Sequence, residues 1–196
     1  MKEIKVKLTF TEEILGTASG NPEIHADFIA SNAPDAPSRE EEIAAIGVDG
    51  EIEKQKTVFP RNDDGTPIFW DYQFKGFFKD ACGMLRNVDK SASSKLKAYK
   101  KKIDGLVFVE PRKIPIIFDG EIGNCQRPLR AQTAQGERIA LANSETIPSG
   151  ATCEIKIICL QDDMEKQVME WLDYGARRGM AQWRNSGKGT FTYEML

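Results

Sequence analysis

At 196 residues, with 40% hydrophobic and 29% charged side chains, the chain can bury one substantial core, and a single domain over 1–196 is expected. It has no run of about 18 apolar residues, and its opening MKEIKVKLTF is too short and too charged for a signal peptide, so a cytoplasmic protein with no membrane partner is expected. A net charge of −3 excludes a protein that coats nucleic acid by bulk charge alone.

Ile4, Val6, Leu8 and Phe10 alternate with Lys5, Lys7 and Thr9, the period-two pattern of a strand with one buried face. A glycine-bearing break, GTASGNPE, follows. Pro34 and Pro37 then mark a loop, and Ser38 with Glu41 reads as a capping box, predicting a short helix from about Arg39. KTVFPRNDDGTPIFW reads as a strand end, an Asp-Gly turn and a return. Phe74, Phe77, Phe78, Ala81 and Leu85 form one apolar stripe, predicting a helix capped by Asp71 and ending after Asn87.

Charge is unevenly spread. Acids are in excess from Glu12 to Glu53, whereas KSASSKLKAYKKK, from Lys90 to Lys102, carries six lysines and no acid. That stretch reads either as a basic surface or as a solvated loop. Beyond it, Pro111 and Pro115 break DGLVFVEPRKIPIIF into pieces suited to short or edge strands. RIALANSETIPSGATCEIKIICL predicts a hairpin turning at Pro148-Ser149-Gly150, with Cys153, Ile155, Ile157 and Cys159 inward. Met164, Val168, Trp171, Leu172 and Gly175 share one face of a second helix, with acids at its start and arginines near its end. GTFTYEML closes as a strand.

Two strand-helix-strand passes predict an α+β, ferredoxin-like antiparallel sheet with both helices on one face and the other face open to a ligand, with insertions at about 20–57 and 88–118. Cys82, Cys125, Cys153 and Cys159 form no CxxC pair, so reduced, buried thiols are expected rather than a metal site.

Three separated stretches resemble one family. DDGTPIFWDYQFKGFFKDACGML is similar to a turn-strand-helix step carrying S-x-K-G, with Gln73 in place of the serine and Lys75 and Gly76 matching. LTFTEEILGTASGN is similar to a first strand and small glycine loop, with Gly16 and Gly20 in place. GARRGMAQWRNSGKGTFTYE is similar to a C-terminal glycine-rich loop, best at Gly187, Lys188 and Gly189. In this order the stretches resemble the repeat-associated mysterious protein (RAMP) superfamily, which includes backbone subunits of CRISPR effector complexes and RNA-processing endoribonucleases. The resemblance implies an RNA-recognition-type core that binds single-stranded nucleic acid. The size and the lack of a second domain look more like a backbone subunit or a stand-alone viral (phage or prophage) relative than a processing nuclease.

The C-terminal loop supports that implication on chemical grounds. Gly175, Gly179, Gly187 and Gly189 allow close backbone approach and expose amide donors to phosphates. Arg177, Arg178, Arg184 and Lys188 can pair with phosphates, and Trp183 can stack a base. The competing account is a tight helix-to-strand loop with solvated cations and a buried Trp183. Lys75 has the same two readings, and Lys95, Lys97, Lys100 and Lys101 would form a second grip on a protruding lobe.

Catalytic candidates are weak. His25 is the sole histidine and has no identified partner. Asp35 lies in a proline-flanked loop comparable with one that carries a cutting aspartate in some backbone subunits, yet no second acid accompanies it. No metal or other cofactor is expected. Three functions compete: a non-catalytic binder of single-stranded RNA or DNA, RNA favoured, that forms an oligomer or filament along the strand; an interaction protein that mimics a backbone subunit and docks on CRISPR-type effector proteins; and a metal-dependent ribonuclease built on Asp35.

Overall fold

The computed structural model describes residues 1–19, 56–133 and 136–196. Its centre is a four-stranded antiparallel sheet of β1 (Lys2–Phe10), β6 (Val107–Glu110), β10 (Thr152–Cys159) and β11 (Phe191–Met195), in the order β11-β1-β10-β6. The alternation read from the sequence sets its faces. Ile4, Val6, Leu8, Phe10, Cys153, Ile155, Ile157 and Cys159 are all buried. Against them pack α1 (Asp71–Leu85) and α3 (Glu165–Arg178), through Phe74, Phe77, Phe78 and Ala81 from one helix and Val168, Trp171 and Leu172 from the other. Edge-on contacts such as Phe77 on Phe191, with centroids 5.3 Å apart, add to the burial.

The first helix begins at Asp71 itself, the residue expected to cap it, so the cap falls one residue earlier. Trp70 is the N-cap, and its N–H donates to Oε1 of Gln73 at 2.7 Å. Asp71 lies in the first turn, where it favours the helix dipole and meets Arg112 at 3.5 Å. The predicted hairpin at Pro148–Gly150 is also corrected. That turn joins two sheets: β10 stays in the central sheet, while β9 (Gly136–Ile147) pairs along its length with β8 (Gly123–Thr133). Polar residues on both faces of β8 hid this long hairpin. Its foot is tied down by β2 (Ile14–Leu15) and β4 (Thr57–Val58), each paired with β9, and β3 (Ala18–Ser19) pairs with β4. A two-stranded unit, β5 (Ile68–Trp70) with β7 (Lys113–Pro115), follows the expected Asp-Gly turn, and β6 lies at a sheet edge as its prolines suggested.

The lysine-rich stretch is not a bare loop. It forms a 3₁₀ turn, Ala92–Lys95, and α2 (Tyr99–Leu106), pinned to the core by buried Ser93, Leu96 and Ile103. Glu170 of α3 holds the turn, accepting from the N–H groups of Ala92 and Ser93 at 2.8 and 3.0 Å. The four cysteines are unpaired thiols, three of them buried. Burial pushes the Cys82 and Cys153 thiols up and the Cys159 thiol to about 11, so these stay protonated and inert. No helix among the described residues is long and apolar enough to cross a membrane. The helix expected from Arg39, the loop with His25 and Asp35, Gly20 and most of the acidic stretch lie outside the described residues.

Candidate functional site

The outer sheet face is a poor stacking surface. At its centre stand Lys5, Lys7, Glu154 and Lys156. Lys7 pairs with Glu194 at 3.6 Å and Lys156 with Glu110 at 2.6 Å. A shallow hollow of about 660 Å³ lies beside Lys5 and Lys156, and the face's aromatic ring, Phe108, sits on the edge strand.

A different constellation forms where α3 returns to β11. The helix stops at Gly179, and the chain doubles back so that Met180 N–H donates to Gly189 O at 2.9 Å and Gly189 N–H donates to Glu13 O at 2.9 Å. At Gly189 φ is +69°, and a Cβ would lie 2.1 Å from Met180 O; one on Gly179 would lie 2.4 Å from Lys188 O. Gly175 makes room for the Phe191 ring, 2.1 Å from where its Cβ would be. These three glycines are therefore explained by packing of the chain on itself. Gly187 differs: φ is +81° and no atom stands within 4 Å of its Cβ position.

The loop's cations divide the same way. One oxygen of Asp80, on α1, accepts from Arg178 Nε at 2.9 Å and from Arg184 Nη1 at 2.8 Å. Lys188 pairs with Glu13 at 2.7 Å and Glu12 at 3.7 Å. Hydrogen bonds to Asp80 and to Glu13 raise the pKa values of Arg178 and Lys188 respectively. Arg177 is exposed and has no ion pair among the described residues. Lys75 turns away from the loop, donating to Asp104 O at 3.2 Å with its ammonium 4.4 Å from the Phe108 ring. Lys95, Lys97, Lys100 and Lys101 are exposed around α2, without ion pairs among the described residues. Beside them Arg86 lies over the Tyr99 ring at 5.1 Å.

All three family-like stretches meet in one groove of about 290 Å³, lined by Thr17, by Gln73, Gly76 and Phe77 of α1, and by Met180, Ala181 and Arg184 of the loop. Gln73 ties two of them together, its Nε2 donating to Thr17 Oγ1 at 2.7 Å while its Oε1 caps the helix. Arg127, on β8, gave no sequence signal. It is 7% exposed, donates to Gln182 Oε1 at 3.2 Å, and lies 4.6 Å from the centroid of the Trp183 ring. Trp183 is exposed, not buried, and its backbone is left-handed with φ +58°. Among the described residues no three His, Cys, Asp or Glu side chains gather as metal ligands.

No protein-family model matches the chain, and no curated protein matches its sequence. Among solved structures, it superposes on a chain from the cryo-EM structure of the type III-B Cmr-beta bound to cognate target RNA, with a TM-score of 0.52 at 10% identity. The match covers 100% of this chain and 59% of that one, so this protein spans less than two thirds of its neighbour's length. A chain of a type IV-B CRISPR complex (11% identity, TM-score 0.46, 100% and 90% covered) and Cmr6 from Pyrococcus furiosus (8%, 0.48, 98% and 98%) superpose less closely.

Proposed function

On the premise of a RAMP-type fold shared with that Cmr-beta chain, we propose that this protein is a non-catalytic binder of single-stranded nucleic acid, with RNA the preferred strand. Its four-stranded sheet with α1 and α3 on one face is read as the ferredoxin-like plan, and the whole chain as one domain. The observation that carries the proposal is the convergence of the three family-like stretches on one groove, beside an exposed indole and the open backbone at Gly187. Strand binding calls for those parts together: donors and cations along the backbone, and a ring for a base.

Phosphate contacts are assigned first to Arg177 and to the lysines around α2, which are exposed and lack carboxylate partners among the described residues. Arg178, Arg184 and Lys188 join only where a phosphate displaces Asp80, Glu12 or Glu13. Copies would line up along the strand, as backbone subunits do.

The neutralised loop cations favour a second reading, an interaction protein that docks on CRISPR-type effector proteins. Fluorescence anisotropy with labelled single-stranded RNA and DNA of about 30 nucleotides, several site lengths, separates the two. The binder gives salt-sensitive affinity, with the slope of log K against log salt falling by about 0.7 for each phosphate contact removed by Arg177→Ala, Lys97→Ala or Lys100→Ala. The strand stays intact on incubation. Absence of binding at low salt rejects the proposal and turns the search to protein partners.

A further inference from the structure

Arg127 is a charge in the wrong place for a merely structural residue. A guanidinium is always protonated and carries five N–H donors, and burying it without a counter-charge is costly. Here it is 7% exposed and, among the described residues, has no carboxylate partner and hydrogen-bonds only to neutral oxygens, Gln182 Oε1 at 3.2 Å and Ser144 Oγ at 3.5 Å. Its Nε is buried with no acceptor among the described residues. What compensates it is the face of Trp183, whose ring centroid lies 4.6 Å away, a cation–π contact strengthened by exclusion of water.

Trp183 is equally out of the ordinary. It stands 37% exposed on a left-handed backbone that L-residues avoid, between left-handed Ala181 and the 3₁₀ turn Arg184–Ser186. Ser144, which receives the Arg127 contact, is itself held by Thr57 Oγ1 at 2.7 Å. The foot of the β8–β9 hairpin thus supports the cation, and the cation lies against one face of the indole of an exposed residue. A free surface loop has no need of such backing, whereas a stacking platform does, because a ring fixed in advance loses little entropy when a second ring settles on it.

We propose that the outer face of Trp183, backed by Arg127, is the seat for one unpaired nucleobase and prefers purines. The inference rests on the strand-binding reading above and names its base subsite. Purines are favoured because their fused rings overlap more of an indole than a pyrimidine does. The cation behind draws electron density from the outer face, which further favours the electron-richer base. The arrangement gives a sequence-tolerant protein a bias at the one base it seats.

The test uses the full chain carrying Trp70→Phe, so that emission comes from Trp183 and from fully buried Trp171. Binding is followed by anisotropy and by tryptophan emission, with oligouridylate of about 30 nucleotides and with the same strand carrying adenine at every third base. The expected result is quenching that saturates with binding, and affinity about ten-fold higher for the adenine-bearing strand. Trp183→Ala abolishes that preference and Trp183→Phe keeps part of it. Arg127→Met lowers the preference while leaving salt-dependent binding in place. Strand binding with unchanged emission, or a Trp183→Ala variant with the same base preference, overturns the platform and spares the strand-binding reading. Failure of either strand to bind overturns both.

Discussion

Asp80 reaches two arginines from sequence positions 98 and 104 residues away, and replacing it with asparagine should move stability and affinity in opposite directions. The Asp80 side chain is 20% exposed, and Arg178 and Arg184 are 24% and 29% exposed. A charge-assisted hydrogen bond in the interior is worth about 1.5–3 kcal/mol, and solvent at this exposure discounts it towards the surface value of about 0–1 kcal/mol. The two bonds together should therefore contribute about 1–2 kcal/mol. For a chain of this length that is a melting temperature lower by about 2–8 °C. The asparagine amide retains one neutral acceptor, so the fold survives. At the same time two guanidinium groups lose the oxygen they share, and a repelling charge leaves the site. One charge at about 4 Å in water amounts to about 1 kcal/mol, or about five-fold tighter strand binding at low salt. If both arginines take up phosphates, the salt slope steepens by about 1.4. Differential scanning fluorimetry and anisotropy of the same preparation read both effects. A variant that melts lower and binds more weakly, or binds with an unchanged salt slope, refutes the idea that Asp80 occupies a place a phosphate can take.

Two further outcomes are expected. Gly187→Ala meets open space and should cost only its left-handed backbone, about 1–2 kcal/mol, whereas Gly189→Ala adds overlap with Met180 O and should leave little folded protein at the same temperature; equal melting temperatures for the two would contradict the packing account of the loop. At alkaline pH, Tyr193 should weaken the fold. Burial, with help from its bond to Asp173, raises its phenol from 10.0 to about 12. Its contribution is complete below pH 10 and is lost as pH climbs towards 12, because the unfolded chain releases the proton first. Urea unfolding of Tyr193→Phe should show a flatter decline over that window, and an identical decline would assign the alkaline loss to other groups, such as Lys188.

How much of this was legible beforehand follows from periodicity. The stripes Phe74–Phe77–Phe78–Ala81 and Val168–Trp171–Leu172–Gly175 fix two helices and their buried faces, because a 3.6-residue repeat admits few other solutions. The alternation in β1 and β10 was just as readable, but their partners were not. β10 leaves its neighbour in sequence to pair with β1, a choice made by the sheet and not by the turn at Pro148–Gly150. The helix α2 was hidden by its lysines, and β8 by polar residues on both faces. In the site, the glycines and cations were visible as residues, while their employment was not: Asp80 meets Arg178 and Arg184 only in the fold. Arg127 was invisible because an arginine before a proline, in the run QRPLR, looks like loop.

The place of β1 in the sheet has a bearing on how the chain assembles. Its neighbours are β10 and β11, which lie more than 140 residues further along the chain, so its own pairings are of high sequence separation. Topologies of that kind fold slowly, since long loops must close before the contacts reward them. Until then Ile4, Val6, Leu8 and Phe10 form an apolar ribbon with two open edges, a template for pairing with the wrong chain. Lys5 and Lys7, which contribute little to the finished sheet face, carry like charge along that ribbon and keep two such strands apart. They act as gatekeepers for a nascent strand that must wait for its partners.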